Sequence, residues 1–258
     1  MTAEHTAYFR FYAELNDFLP SDRRRQTLSY AFRDSPAIKD TIEALGVPHT
    51  EVDLILVNGA SVGLNYHLQD TDAVSVYPVF ESLDVSSATL LRPRPLRCCT
   101  FILDVHLGKL ARLLRMLGFD CSYDNQAGDA QIVARAQLEH RIILTRDVGL
   151  LKHKAVSHGY WVRSLAPIVQ AREILARFDL KNQVQPFRRC LVCNGLIETI
   201  DREEVSSLLP PYVLATQDAF YACPQCGRIY WRGTHCSRMR ADLERILAPE
   251  DDSPDSPC

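Results

Sequence analysis

The chain has 258 residues, 47% of them hydrophobic, and a formal net charge of −3, so it can bury at least one full core and is not disordered throughout. No run of about 18 apolar residues occurs and no basic stretch leads into an apolar one near the start, so neither a membrane span nor a signal peptide is indicated and a cytoplasmic protein is expected. The small net charge conceals a split that permits a polyanionic partner without demanding one: residues 1–84 carry 6 basic against 13 acidic side chains, residues 85–248 carry 23 against 15, and the last ten add four acids.

Taken in chain order, Tyr8-Phe9-Arg10-Phe11-Tyr12 is β-prone and aromatic, and residues 25–32 alternate like a half-buried strand. Ser35-Pro36 suits a helix start, with Ser35 as N-cap; Ile38, Ile42 and Leu45 then form one stripe and Gly46 ends the helix. Residues 53–57 read as a strand, Asn58-Gly59 as a turn, and residues 73–80 as a last strand. This order resembles the β-grasp, ubiquitin-like fold of small sulfur-carrier proteins. Sulfur carriers end in a free Gly-Gly, whereas here the last strand runs on through Val79-Phe80-Glu81, so residues 1–84 read either as a docking or RNA-positioning module that offers a surface to a protein partner or as a domain that only stabilises its neighbour.

Residues 85–98, with Ser86-Ser87 and Arg92-Pro93-Arg94-Pro95, cannot hold a helix and read as an extended linker. Beyond it, residues 100–104 form an apolar strand ending in Asp104. Leu107, Leu110, Ala111, Leu114 and Leu117 share a helical face, with Lys109, Arg112 and Arg115 opposite them and Gly118 as terminator. A short strand at 119–123, a helix from Asp129 to Glu139, a strand at 141–145, a strand at 160–163 and a helix at 167–178 follow. Such alternation predicts an α/β unit with a mostly parallel sheet over residues 99–185.

In a parallel sheet, ligands bind beyond the carboxyl ends of the strands, where Asp104 and Asp147 both stand; Asp129, opening a helix, can face the same crevice. Singly, each has an ordinary role in a cap or turn. Together, three crowded carboxylates call for a cation, and Mg²⁺ or Mn²⁺ is the hard, oxygen-preferring choice. Such an ion activates water and neutralises a phosphoryl oxygen, and Lys109 and Arg146 are the nearest candidates to offset phosphate charge. His106 reads more readily as a surface group than as a proton carrier.

The run from Leu103 to Asp120, Leu-Asp-Val-His-Leu-Gly-Lys-Leu-Ala-Arg-Leu-Leu-Arg-Met-Leu-Gly-Phe-Asp, resembles the opening signature of the Mut-seven C-terminal family of PIN-like ribonucleases. Residues 129–139 and Ile142-Ile143-Leu144-Thr145-Arg146-Asp147 are similar to its second and third acidic elements. The resemblance covers residues 99–245 and implies RNA hydrolysis by Mg²⁺ or Mn²⁺ held at Asp104, Asp129 and Asp147. PIN nucleases commonly carry a further acid on an intervening helix. The stretch from Gly118 to Asp129 is short for that helix, which leaves Asp120 or Asp124 as substitutes or the nuclease weakened.

Cys190-Leu191-Val192-Cys193 and Cys223-Pro224-Gln225-Cys226-Gly227 are two knuckles that predict a closed, structural four-thiolate Zn²⁺ site in a ribbon over residues 186–248. The 29 residues between the pairs exceed common ribbon spacing, so residues 205–215 read as an insertion or hairpin. Arg228, Tyr230, Trp231 and Arg232 interleave bases with aromatics, a composition that suits RNA contact and equally the ribbon's own small core; together with Arg112 and Arg115 they are the candidate RNA contacts. Residues 249–258 read as a disordered tail. The leading reading is a metal-dependent ribonuclease, and the alternative is a non-cleaving RNA- or ribosome-binding adaptor.

Overall fold

The structure, a computed structural model, describes residues 4–78 and 99–248. The expected linker, the end of the strand at Val79-Phe80 and the expected tail lie outside the described residues. The rest divides into two compact units: 4–78, 99–104 and 127–161 in one, 105–126 and 162–248 in the other.

The first unit opens with a mixed five-stranded sheet. Its strands are β1 (His5–Phe11), β2 (Leu28–Phe32), β3 (Val52–Val57), β4 (Ala60–Ser61) and β5 (Ala73–Pro78), in the order β2-β1-β5-β3-β4. Central β1 and β5 run parallel, Phe9 opposite Val74, while β2 and β3 pair antiparallel with them. Strand alternation sends Ala7, Phe9 and Phe11 to one face, where helix α1 (Ile38–Ala44) covers them with Ile38 and Ile42. This is the ubiquitin-like arrangement expected for residues 1–84. The β3–β4 turn uses the left-handed conformations of Asn58 (φ 52°) and Gly59 (φ 85°) that Asn-Gly favours. Ser35 does not cap α1: its Oγ donates to the Leu68 carbonyl at 2.7 Å, and Ala37 stands at the N-cap without a side-chain bond.

The chain then continues through β6 (Phe101–Leu103), α2 (Gly108–Met116), β7 (Cys121–Tyr123), α3 (Asp129–Glu139), β8 (Ile142–Thr145), α4 (Val148–Leu151), β9 (Gly159–Trp161) and α5 (Pro167–Arg177). In the first unit β6, β8 and β9 are parallel neighbours, with Leu103 opposite Leu144 and Thr145 opposite Trp161. β6 and β8 are buried along their whole length, as strands covered on both faces must be. Ile132, Val133 and Ala136 of α3 pack with Ile102, Ile143, Leu150 and Leu151.

In the second unit Leu110, Ala111 and Leu114 of α2 are buried, as are Ala171, Ile174 and Leu175 on the α5 helix packed against it. Gly118 ends α2 at φ 99°, and a Cβ there would lie 2.3 Å from the Gln185 carbonyl oxygen, so glycine is required on two counts. The C-terminal part is an antiparallel sheet of β10 (Glu198–Ile200), β11 (Phe220–Ala222) and β12 (Ile229–Trp231). Between its first two strands the expected insertion forms two short helices, α6 (Arg202–Val205) and α7 (Pro211–Thr216), instead of a hairpin; Pro211 at the start of α7 favours a helical first turn over a β ladder. Helix α8 (Thr234–Leu247) follows.

Candidate functional site

The parallel ladder extends one residue past β6, where the Asp104 N–H donates to the Leu144 carbonyl at 3.0 Å. That bond draws Asp104 to the carboxyl end of the sheet at 5% exposure. Beside it Thr145, the wholly buried last residue of β8, donates from Oγ1 to Asp104 Oδ2 at 2.7 Å. The same hydroxyl accepts the Asp147 N–H at 2.8 Å. One side chain thus ties two of the expected acids together, and its burial keeps water from competing for either bond. Asp147 is exposed and caps α4, its Oδ1 accepting from the Gly149 N–H at 2.7 Å. Arg146 is half-buried, and its carbonyl accepts from Trp161 Nε1 at 3.3 Å.

Asp129 is the exposed first residue of α3, with Gly128 at the N-cap. Asp104, Asp129 and Asp147 do not make a tight cluster: among the described residues, the four cysteines are the one group of His, Cys, Asp or Glu whose ligand atoms all lie within 4.8 Å of one another. The expected cup is therefore not preformed. Thr145 holds Asp104 inward, Asp147 spends one oxygen on α4, and Asp129 faces solvent. Lys109, Arg112 and His106 are exposed in the second unit. Both substitute acids already have a partner. Asp120 accepts from Asn194 Nδ2 at 2.9 Å and pairs with Arg189 at 3.3 Å, while Asp124 closes a turn by accepting the Gln126 N–H at 2.9 Å.

The cysteine cluster is compact. Cys190 and Cys226 sulfurs lie 3.6 Å apart and those of Cys193 and Cys223 3.3 Å, with all four thiols free. Zinc–sulfur bonds of about 2.3 Å in a tetrahedron place sulfurs about 3.8 Å apart, so the donor set and its spacing fit a structural zinc ion. Burial alone would push the Cys190 thiol up, but hydrogen bonds from the backbone N–H groups of Cys193 and Val192 and from the Tyr230 hydroxyl bring it down to about 6. The Tyr230 oxygen lies 3.0 Å from Cys190 Sγ and accepts the Leu191 N–H at 3.3 Å. Burial and the neighbouring Cys190 push Tyr230 above its ordinary value.

Two of the six candidate RNA contacts are thereby accounted for otherwise. Tyr230 serves the knuckle, and Arg115, at 4% exposure, donates to backbone carbonyls: Nε to Cys121 at 2.9 Å, Nη1 to Leu191 at 3.2 Å and to Val192 at 2.8 Å. Helical periodicity set Arg115 on the polar side of α2, but that side is covered by the first knuckle, and a long guanidinium can satisfy several carbonyls there. Burial lowers its pKa. Arg228, Trp231 and Arg232 remain exposed on the ribbon. Sequence reasoning missed the part played by Thr145, for which a hydroxyl ending a wholly apolar strand was the available signal, and named Arg115 with a different partner, for which no signal pointed to the knuckle carbonyls.

Residues 99–243 match the family described as the Mut7-C RNAse domain, and residues 4–84 match the Mut7-C ubiquitin family. A search of curated proteins finds no match. Among solved structures, the solution structure of the Haloferax volcanii HVO 2177 protein is similar at 21% identity over 31% of this chain and 88% of that one, with a TM-score of 0.26. No helix among the described residues is long and apolar enough to cross a membrane.

Proposed function

The chain belongs to the Mut7-C RNAse domain family, and on that premise we propose that it is a metal-dependent ribonuclease that hydrolyses RNA phosphodiester bonds at Asp104 and Asp147, with Asp129 completing the site. The observation that carries this reading is the buried Asp104–Thr145–Asp147 hydrogen-bond chain at the carboxyl ends of parallel strands. A carboxylate fixed at that depth, with a second, exposed one two residues beyond the same threonine, offers oxygen donors that would suit Mg²⁺ or Mn²⁺, and Asp129 would supply a further one. Bound there, the ion would supply an activated water and neutralise charge on the phosphoryl oxygen.

The protein's own share is orientation and charge. Thr145 removes the rotational freedom of Asp104, and Arg146 offsets phosphate charge. Arg112, Arg228, Trp231 and Arg232 offer RNA guanidinium and indole contacts. The ribbon holds its shape through zinc at Cys190, Cys193, Cys223 and Cys226.

The adaptor reading has one observation in its favour, the absence of a tight three-carboxylate cluster among the described residues. Incubation of purified protein with end-labelled RNA and Mn²⁺, beside Asp104→Asn and Asp147→Asn, separates the two. Metal-dependent cleavage lost in both variants supports the nuclease, and RNA binding without cleavage in the parent protein supports the adaptor.

A further inference from the structure

Glu51 stands at the end of a 3-10 turn, His49–Glu51, that leads into β3, and it is completely buried. A carboxylate in such a place is costly unless it is engaged. Its Oε1 accepts the backbone N–H of Trp161 at 2.6 Å, a separation of 110 residues along the chain. Trp161 ends β9, the last strand in its sheet, and its N–H would otherwise be an outward-facing edge donor. The Trp161 indole ring lies 5.0 Å from that of Phe18, and its Nε1 donates to the carbonyl of Arg146.

The same face of the ubiquitin-like fold touches the segment after Asp147 at two further points. His49 Nε2 lies 2.8 Å from the Val156 carbonyl oxygen, with Nδ1 held 2.5 Å from Glu43 Oε1. Lys152 Nζ donates to the Glu43 carbonyl at 2.9 Å. Residues 146–161 therefore have four attachments to Phe18, Glu43, His49 and Glu51. Leu150, Leu151 and Val156 of this stretch are buried, but the Arg146–Asp147 turn opens α4, a single turn of four residues, and short helices depend on tertiary partners.

We infer that the ubiquitin-like domain acts in cis as a brace for the acidic site, with Glu51 and Trp161 as positioning residues that fix the Arg146–Asp147 turn. Glu51 anchors the strand end through the Trp161 backbone N–H, the indole carries the constraint to the Arg146 carbonyl, and Asp147 is held by its own N–H on the Thr145 hydroxyl and by its carboxylate on the Gly149 N–H. The consequence for cleavage rests on the ribonuclease reading; the brace itself does not.

The test uses the full chain as Glu51→Ala, Glu51→Gln and Trp161→Phe. Hydrogen exchange of peptides spanning residues 146–152 should quicken about tenfold in Glu51→Ala and Trp161→Phe, the loss of one engaged hydrogen bond, while peptides from β6 stay protected. Glu51→Gln keeps an acceptor oxygen and should restore most of the protection. With labelled RNA and Mn²⁺, kcat referred to the folded fraction should fall in the two disruptive variants and recover in Glu51→Gln, with KM for RNA unchanged. Unchanged exchange over 146–152 in folded Glu51→Ala and Trp161→Phe overturns the brace. Should Glu51→Ala fail to fold, Trp161→Phe carries the same expectation, because it removes the indole N–H to the Arg146 carbonyl and keeps an aromatic ring there and the backbone N–H that Glu51 accepts. Absence of cleavage in the parent protein would overturn the ribonuclease reading alone, since the exchange result stands apart from it.

Discussion

Replacing Arg115 with Met tests whether helix α2 and the first cysteine knuckle are one mechanical piece. The guanidinium makes three hydrogen bonds to the carbonyls of Cys121, Leu191 and Val192 from a position 4% exposed. Each bond to a charged donor is worth about 1.5–3 kcal/mol, but part is returned because burying the cation was unfavourable, as its lowered pKa indicates. The net loss expected is about 3 kcal/mol, a large share of a domain's total stability of about 5–15 kcal/mol. Two of the three carbonyls lie between the thiolates of one knuckle, so the loss should also appear in metal affinity, by about 10- to 100-fold, as for other groups just outside a metal's ligands. The assay is urea unfolding at saturating zinc, followed by Trp fluorescence, together with zinc competition against a chromophoric chelator. Arg115→Lys keeps the charge without the planar fork and should fall between the two. A stability loss below about 0.5 kcal/mol in Arg115→Met, with zinc affinity unchanged, would refute the reasoning, because surface substitutions have effects of that size.

Thr145→Val keeps the volume but deletes the hydroxyl that serves Asp104 and Asp147, so stability by chemical denaturation should drop by about 2 kcal/mol and Mn²⁺-dependent RNA cleavage should fall more steeply than RNA binding. Glu139 is held below its ordinary carboxylate value by the Arg141 guanidinium first and Arg135 second, against the effect of burial. Its folded pKa lies below the unfolded one, so its contribution is complete above the unfolded value of 4.5 and is lost as pH falls through the folded value. Glu139→Gln should therefore narrow the stability difference between neutral and acid pH, measured by thermal unfolding from pH 7 to pH 3; an unchanged acid slope would remove Glu139 from the account.

Much of this architecture was legible because it is local. The strand period of Ala7, Phe9 and Phe11, the Asn58-Gly59 turn, the stripe on α2 and its glycine stop are each decided within a few residues by side-chain alternation or a left-handed backbone angle. The two Cys-x-x-Cys knuckles were legible for the same reason, as each is a single turn, and what joins them is metal chemistry more than packing. Asp104 and Asp147 could be placed at strand ends because a carboxylate after an apolar run says where a strand stops. The small offset at α1 is instructive: Ser35 had the right identity for a cap, but the Leu68 carbonyl, 33 residues away, competed for its hydroxyl and the helix began two residues late.

What sequence could not supply was the second partner of a polar side chain. Arg115 looked like a solvent-facing base because periodicity assigns a face to a helix without saying what covers it, and the covering carbonyls lie 76 and 77 residues on. Thr145 looked like one more strand residue until its hydroxyl was found between two aspartates, one of them 41 residues earlier in the chain. In both cases a polar side chain meets the protein's own backbone or carboxylates. A buried donor must find an acceptor, and backbone carbonyls outnumber every ligand. Exposure is therefore what separates the remaining RNA candidates, Arg112, Arg228, Trp231 and Arg232, from Arg115 and Tyr230: the former still have donors or an aromatic face to offer, whereas the latter have already used theirs to hold the knuckle in shape.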